Sequence, residues 1–240
     1  MATAVAIGTL TEQMVSRTER TDGPAFISGL SRQSTEALAK ASTRMTFDVG
    51  ELVYTEGEPA EGAFILLRGK VKLVANSSDG KALILRIAQP GEIISLSAAL
   101  SERDNDTSAE AVEPTTVSFI PGAAIYRLME TCGDLALRLA QELSVEYSSL
   151  CQELSTLGLQ RSAMSRLAKL LVGMARNTAA QGGMVTSPCP LTHEEMAQMI
   201  GTSRETVTRL LHDLRDDGIA VVRNETLSIS KIDHLRALMN

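Results

Sequence analysis

The chain has 240 residues, enough for two modest domains with separate cores, and its 44% hydrophobic and 22% charged residues are ordinary for a globular protein. It carries no apolar run of 18 residues, which excludes a membrane-spanning helix. The net charge of −6 is uneven: residues 1–161 hold 14 Lys+Arg against 21 Asp+Glu (−7), and residues 162–240 hold 9 against 8 (+1). A nucleic-acid contact, needing a basic face, therefore belongs to the last third.

Residues 1–22 contain neither a basic n-region nor an unbroken apolar stretch, so they read as a flexible tail and the protein as cytoplasmic. Cys132, Cys151 and Cys189 are isolated, with no CxxC or Cys/His cluster. No metal site is expected, and three separate thiols suit a reducing compartment. Pro24–Ser42 reads as a helix. From Met45 to Ile120, short β-prone runs alternate with glycines at 50, 57, 62, 69, 80 and 91. The runs are Leu52–Tyr54, Ala63–Leu67, Lys70–Ala75 and Ala82–Ile87, with a hairpin turn at Ser78–Lys81. Regular short strands with such turns predict an antiparallel β-roll over residues 23–121.

Over residues 122–161 the period becomes helical. Leu143, Tyr147, Leu150, Leu154 and Leu157 are spaced 4, 3, 4, 3, the spacing of a coiled-coil seam. With largely polar flanks, the stripe predicts the dimerisation helix of a homodimer; packing on its own domain is the competing reading.

Residues 162–240 form the third part. Ser162–Ala175 reads as a helix and NTAAQGGMVTSPCP as a loop. Thr192-His193-Glu194-Glu195 fits a capping box opening a helix with an apolar face of Met196, Ala197, Met199 and Ile200. Gly201 breaks that helix. Ser203 caps a second one, running to about Asp216, whose buried stripe is Val207, Leu210, Leu211 and Leu214. Gly218 ends it. IAVVRNETLSIS follows as a two-stranded wing turning at Asn224-Glu225, and Lys231–Met239 closes as a short helix. The fold class is α+β, and this last module is a winged helix-turn-helix.

Burying Val207, Leu210 and Leu211 turns Arg204, Glu205, Thr208 and Arg209 outward on the end that enters a major groove. Two arginines can donate in pairs to guanine and Glu205 can accept from cytosine. Thr192, Ser203 and Thr206, beside helix N-termini, suit phosphate oxygens of double-stranded DNA. A merely solvated face is the plainer reading of such charges, and the helix, turn and wing in register weigh against it. His193, His212 and His234 all fall in this module, as backbone-phosphate or solvent contacts. No nucleophile elbow, P-loop or metal motif accompanies them, so no enzyme is expected.

LTHEEMAQMIGTSRETVTRLLHDLRDDGIA, and within it SRETVTR, resembles the recognition module of the cyclic-AMP receptor protein (CRP/FNR) family of bacterial transcription regulators, over about residues 24–235. The resemblance implies an activator or repressor. Arg204, Glu205 and Arg209 would read TGTGA-like half-sites arranged as an inverted repeat, with RNA polymerase as a partner. It also implies that FILLRGKVKLV and Pro90-Gly91-Glu92 belong to a cyclic-nucleotide-binding roll. The sensor end departs from the pattern: Asn105-Asp106 stands where the family's phosphate-binding Arg belongs, and Arg103 reaches the place only if the loop shifts. Cyclic AMP or another nucleotide in the usual mode is therefore disfavoured, since a phosphate beside Asp104 and Asp106 would be repelled. Gly91, Glu92, Arg103, Asn105, Thr107 and Ser108, with Ser148, Ser149 and Gln152 on the long helix, form the expected effector pocket; the last three equally suit polar coiled-coil positions. A nucleotide-binding sensor acting without DNA remains the alternative function.

Overall fold

The computed structural model describes residues 26–77, 80–159, 162–175 and 184–239, with the backbone alone for 152–159. The predicted tail, Ser78 and Asp79 of the predicted turn, and the side chains of Gln152, Leu154 and Leu157 lie outside the described residues. The chain divides into two compact units, residues 1–81 with 85–148, and residues 82–84 with 149–240.

The N-terminal unit opens with α1 (Arg32–Ala41), shorter than the predicted Pro24–Ser42. Residues 26–29 form a turn, and the Ser31 hydroxyl accepts the Ser34 N–H at 3.1 Å to start the helix. Then come β1 (Thr43–Phe47), β2 (Leu52–Tyr54), β3 (Gly62–Arg68), β4 (Val71–Asn76), β5 (Ala82–Ala88), β6 (Ile93–Ile94), the six-residue α2 (Leu96–Ser101), β7 (Ser108–Ala111) and β8 (Thr115–Pro121). They make two four-stranded sheets, ordered β1-β8-β3-β6 and β2-β7-β4-β5. All the pairings with a resolved register are antiparallel.

The strand β3 explains why the unit is layered. Its first five residues are all buried, because Phe64 and Leu66 face Val71, Leu73 and Val117, while Ala63 and Ile65 face a helical layer. A strand covered on both faces has no polar alternation, as its sequence AFILL shows. At its start Gly62 lies so close to β8 that a Cβ would sit 2.1 Å from the Ile120 carbonyl oxygen.

The helical layer contains α1 with α3 (Gly122–Thr131) and the first turns of α4 (Gly133–Leu159). The single helix expected over 122–161 is thus two, separated at Cys132. Leu135 and Leu139 of α4 are buried on the roll, and Leu143 is half-buried against the same cluster. Leu143, expected in the seam, is thus partly covered by its own domain. Among the described side chains of α4, the exposed large apolar ones are Leu137 (62%), Val145 (61%), Tyr147 (70%) and Leu150 (43%).

The C-terminal unit is built from α5 (Ala163–Ala175), β9 (Val185–Pro188), α6 (His193–Ile200), α7 (Arg204–Asp216), β10 (Ala220–Arg223), β11 (Thr226–Ile229) and α8 (Ile232–Ala237). The segment expected to be loop before the capping box contributes β9, so the wing has three strands, ordered β10-β11-β9. Its hairpin turns where expected: Asn224 and Glu225 have φ of 49° and 56°, the pair of left-handed residues that a two-residue turn uses to match strand twist. One core holds the unit together, with Leu167, Met196, Val207, Leu227, Ile229 and Leu235 fully buried in it.

Candidate nucleic-acid interface and roll cavity

The helix pair is fixed by local chemistry. Thr192 caps α6: its hydroxyl accepts the Glu195 N–H at 3.2 Å, while the Glu195 carboxylate accepts from both the Thr192 N–H and hydroxyl at 2.8 Å. Gly201 ends α6 at φ 61°, where a side chain would be strained, and the Gly201 and Thr202 N–H groups both return to the Ala197 carbonyl. Arg166 of α5 donates to the carbonyls of Ile200 (2.6 Å) and Gly201 (3.4 Å), holding the turn from behind. That arginine was not singled out from sequence, since a turn-bracing role has no local motif. Ser203 then caps α7 by accepting the Thr206 N–H at 3.3 Å.

With Val207, Leu210 and Leu214 buried, α7 presents Arg204, Glu205, Thr208 and Arg209 to a concave groove of about 590 Å³. His193 of α6, Leu211, His212 and Arg215 of α7, and Val221 and Val222 of the wing complete its lining; Leu211, expected in the buried stripe, is only half-buried because it borders this groove. Arg215, Val221 and Val222 were not singled out from sequence, the two valines because only the hairpin brings them to the helix face; His193 and His212 stood among the expected backbone-phosphate or solvent contacts. The four expected base-reading residues are therefore together. Arg204, Glu205 and Arg209 are exposed, and among the described residues none of the three is in a side-chain ion pair. Glu205 is held in its carboxylate form: its own N–H, the Ser203 hydroxyl and nearby Arg204 all lower its pKa. An ionised carboxylate at this place is an acceptor for a base amine.

Thr208 departs from the simple expectation. Its hydroxyl donates to the Arg204 carbonyl at 3.0 Å and lies 2.9 Å from His193 Nδ1, so it leaves mainly its methyl group for the groove. Thr192, Ser203 and Thr206 stand at the helix starts as expected, but their hydroxyls are engaged in capping, Ser203 with Thr206 at 3.1 Å. What these starts offer a phosphate is chiefly backbone N–H groups and the helix dipole.

In the roll, a cavity of about 420 Å³ is floored by the packed rings of Tyr54, Phe64 and Phe119, with centroids 5.7 and 4.9 Å apart. Ser95, Asn105, Glu58 and Glu61 supply its polar lining, and the only charged residues in that lining are the two glutamates. Of the expected pocket residues, Asn105 alone lines it. Gly91 lies in a turn, donating its N–H to the Leu66 carbonyl, and the Glu92 carboxylate is taken by Arg86. Arg103 is exposed; Thr107 faces the Tyr54 hydroxyl at 3.5 Å, and the Ser108 hydroxyl accepts the Glu56 N–H. Ser148 does not line the cavity, and Ser149 belongs to the other unit. Burial pushes the Tyr54 phenol up to about 12, so it stays a neutral hydroxyl.

A bound cyclic nucleotide would bring an anionic phosphate. The Asn105 side chain that stands at the expected place is buried and already bonded to Ser95 and the Glu58 carbonyl, and Asp104 and Asp106 flank it. These residues do not fit that phosphate.

Two family models match the chain: a Crp-like helix-turn-helix domain over residues 165–238 and a cyclic nucleotide-binding domain over residues 44–132. The nitrogen fixation regulation protein FixK of Bradyrhizobium diazoefficiens is 31% identical over 195 residues, 80% of this chain and 79% of that protein. The CRP-like cAMP-activated global transcriptional regulator of Mycobacterium tuberculosis is 26% identical over 208 residues, 86% of this chain and 92% of that protein. Among solved structures, a CooA variant from Carboxydothermus hydrogenoformans shares the fold, with a TM-score of 0.76 at 22% identity over 93% of this chain and 99% of the other. With helix-turn-helix and roll both matched and FixK covered over most of its length, the chain belongs to the CRP/FNR family of DNA-binding transcription regulators.

Proposed function

We propose that the protein acts as a homodimer that reads an inverted repeat of TGTGA-like half-sites, one α7 helix in each of two successive major grooves about 34 Å apart. The observation that carries this reading is the convergence of Arg204, Glu205 and Arg209 on one groove while Val207, Leu210 and Leu214 anchor the same helix from behind. Each bidentate base contact would contribute roughly 1–3 kcal/mol of discrimination. The exposed Tyr147 and Leu150, three residues apart on one face of α4, supply an apolar contact for the partner helix.

The protein works in the cytoplasm, where it meets DNA and RNA polymerase; among the described residues no helix is long and apolar enough to cross a membrane. The roll serves as the effector domain. Its effector makes no demand for a phosphate-binding arginine, because the cavity is aromatic and its charged lining is acidic. An effector acts by binding one arrangement of the dimer better than the other.

Fluorescence anisotropy on the inverted repeat and on a scrambled duplex, at fixed salt with and without cyclic AMP, tests the reading. Sequence preference without nucleotide is expected. A preference appearing only with cyclic AMP would reinstate the nucleotide despite Asn105 and Asp106, and no preference at all would remove the DNA-reading role.

A further inference from the structure

His193 sits at the first position of α6 and lines the groove that α7 presents. Its Nδ1 is 2.9 Å from the Thr208 hydroxyl, which also lies 3.0 Å from the Arg204 carbonyl. A carbonyl can only accept, and a hydroxyl has one proton to give. Satisfying both contacts requires Thr208 to donate to Arg204 and to accept from His193 Nδ1–H. The proton of the neutral ring is thereby assigned to Nδ1, and Nε2 is left with a bare lone pair. A lone pair repels a phosphate oxygen; Nε2–H of the protonated ring donates to it.

We infer that His193 is a proton-gated contact to the DNA backbone, its Nε2 binding a phosphate oxygen once the ring takes up a proton from solvent. This deepens the proposed DNA-reading role and rests on it. The charged and titratable groups that line the same groove from α7 are Arg204, Glu205, Arg209, His212 and Arg215, and from the wing Val221 and Val222 line it, neither of them titratable. On its own helix, Glu195 is committed to the capping box and Glu194 to Gln198. His212 differs from His193 because both its nitrogens are engaged, Nδ1 by Arg215 and Nε2 by Asp216 at 3.1 Å. The linkage sign follows from the phosphate: it favours the charged ring, so DNA binding takes up a proton. The added affinity is present at low pH and is lost as pH rises. The same hydrogen bond joins the phosphate contact to the base-reading helix, so the ring also sets how α7 meets the groove.

The test is anisotropy of the full-length protein on the inverted repeat and on a scrambled duplex across about pH 5–8 at constant ionic strength, with His193→Gln and His193→Arg beside the wild type. Wild-type affinity should rise on acidification, by up to about tenfold per pH unit for each half-site, or about a hundredfold for the dimer on the whole repeat. The phosphate contact carries no sequence information, so the slope should appear on both duplexes. His193→Gln should bind weakly with a flattened profile. His193→Arg, permanently charged, should hold the low-pH affinity at high pH, which also shows that the substituted protein folds. A His193→Gln protein keeping the wild-type slope, or a His193→Arg protein as pH-dependent as wild type, would overturn the inference. A His193-dependent slope with no preference between the duplexes would support this contact while removing the base-reading role.

Discussion

The Ser95 hydroxyl donates to Asn105 Oδ1 at 2.7 Å, and the Asn105 amide donates on to the Glu58 carbonyl at 3.2 Å. The backbone repeats the link: Asn105 N–H reaches the Glu58 carbonyl and Gly57 N–H the Asn105 carbonyl, both at 2.9 Å. A residue aligned with a ligand-binding position is thus a clasp between two loops at the cavity. Asn105→Ala should lower the stability of the protein by about 1–3 kcal/mol, the cost of stranding buried polar partners. Urea denaturation measures it, and an unchanged midpoint would show that the clasp is slack.

The exposed apolar pair on α4 makes the oligomeric state testable. Tyr147→Asp combined with Leu150→Asp should give monomers in sedimentation velocity, because neither side chain is used by the roll's own core. The two changes should leave the folded signal intact. A dimer that survives them would place the interface elsewhere.

Asp134 ties α4 to α1. Its carboxylate accepts from the Ser34 hydroxyl at 2.5 Å and from the Ser31 N–H at 2.7 Å, and these bonds lower its pKa from 3.8 to about 2. A depressed folded pKa contributes stability above the unfolded value that is lost as pH falls through the folded one. Asp134→Asn should therefore destabilise the protein at neutral pH and shrink the loss of stability between about pH 4 and 2. Thermal melts across that range decide it; parallel wild-type and variant curves would contradict the assignment.

Thr192 acts through the helix rather than through bases. Its removal in Thr192→Ala breaks the capping box, costing about 1 kcal/mol, and loosens the N–H groups at the start of α6. Affinity for matched and scrambled duplexes should fall alike in a filter-binding or anisotropy assay. A selective loss on the matched site would make Thr192 a sequence reader.

Much of the C-terminal unit was legible because its signals are local. A capping box and a glycine needing positive φ each occupy one or two turns and stand where expected; of the four-residue apolar stripe, Val207, Leu210 and Leu214 are buried while Leu211 is half-buried at the groove. The strand β9 was missed because VTSP has no alternation of its own and exists only through its pairing with β11. The 4-3 spacing cannot tell a partner helix from the roll beneath the same helix: Leu143 is half-buried against the roll, while Tyr147 and Leu150 are exposed. Gly91-Glu92 looked like a ligand pair, yet Arg86, six residues earlier on β5, takes the carboxylate. Short motifs carry no information on such long-range partners. His193 gave no sequence signal for its link to Thr208, fifteen residues on, since the turn at Gly201 creates it.

The central claim is that the exposed face of α7 reads bases. The most direct measurement compares wild type with Arg204→Ala on the TGTGA inverted repeat and the scrambled duplex at one salt concentration. The account predicts that the variant loses roughly 1–3 kcal/mol per half-site on the matched duplex and little on the scrambled one, erasing most of the preference. Equal losses on both duplexes would make Arg204 a phosphate contact and contradict the account.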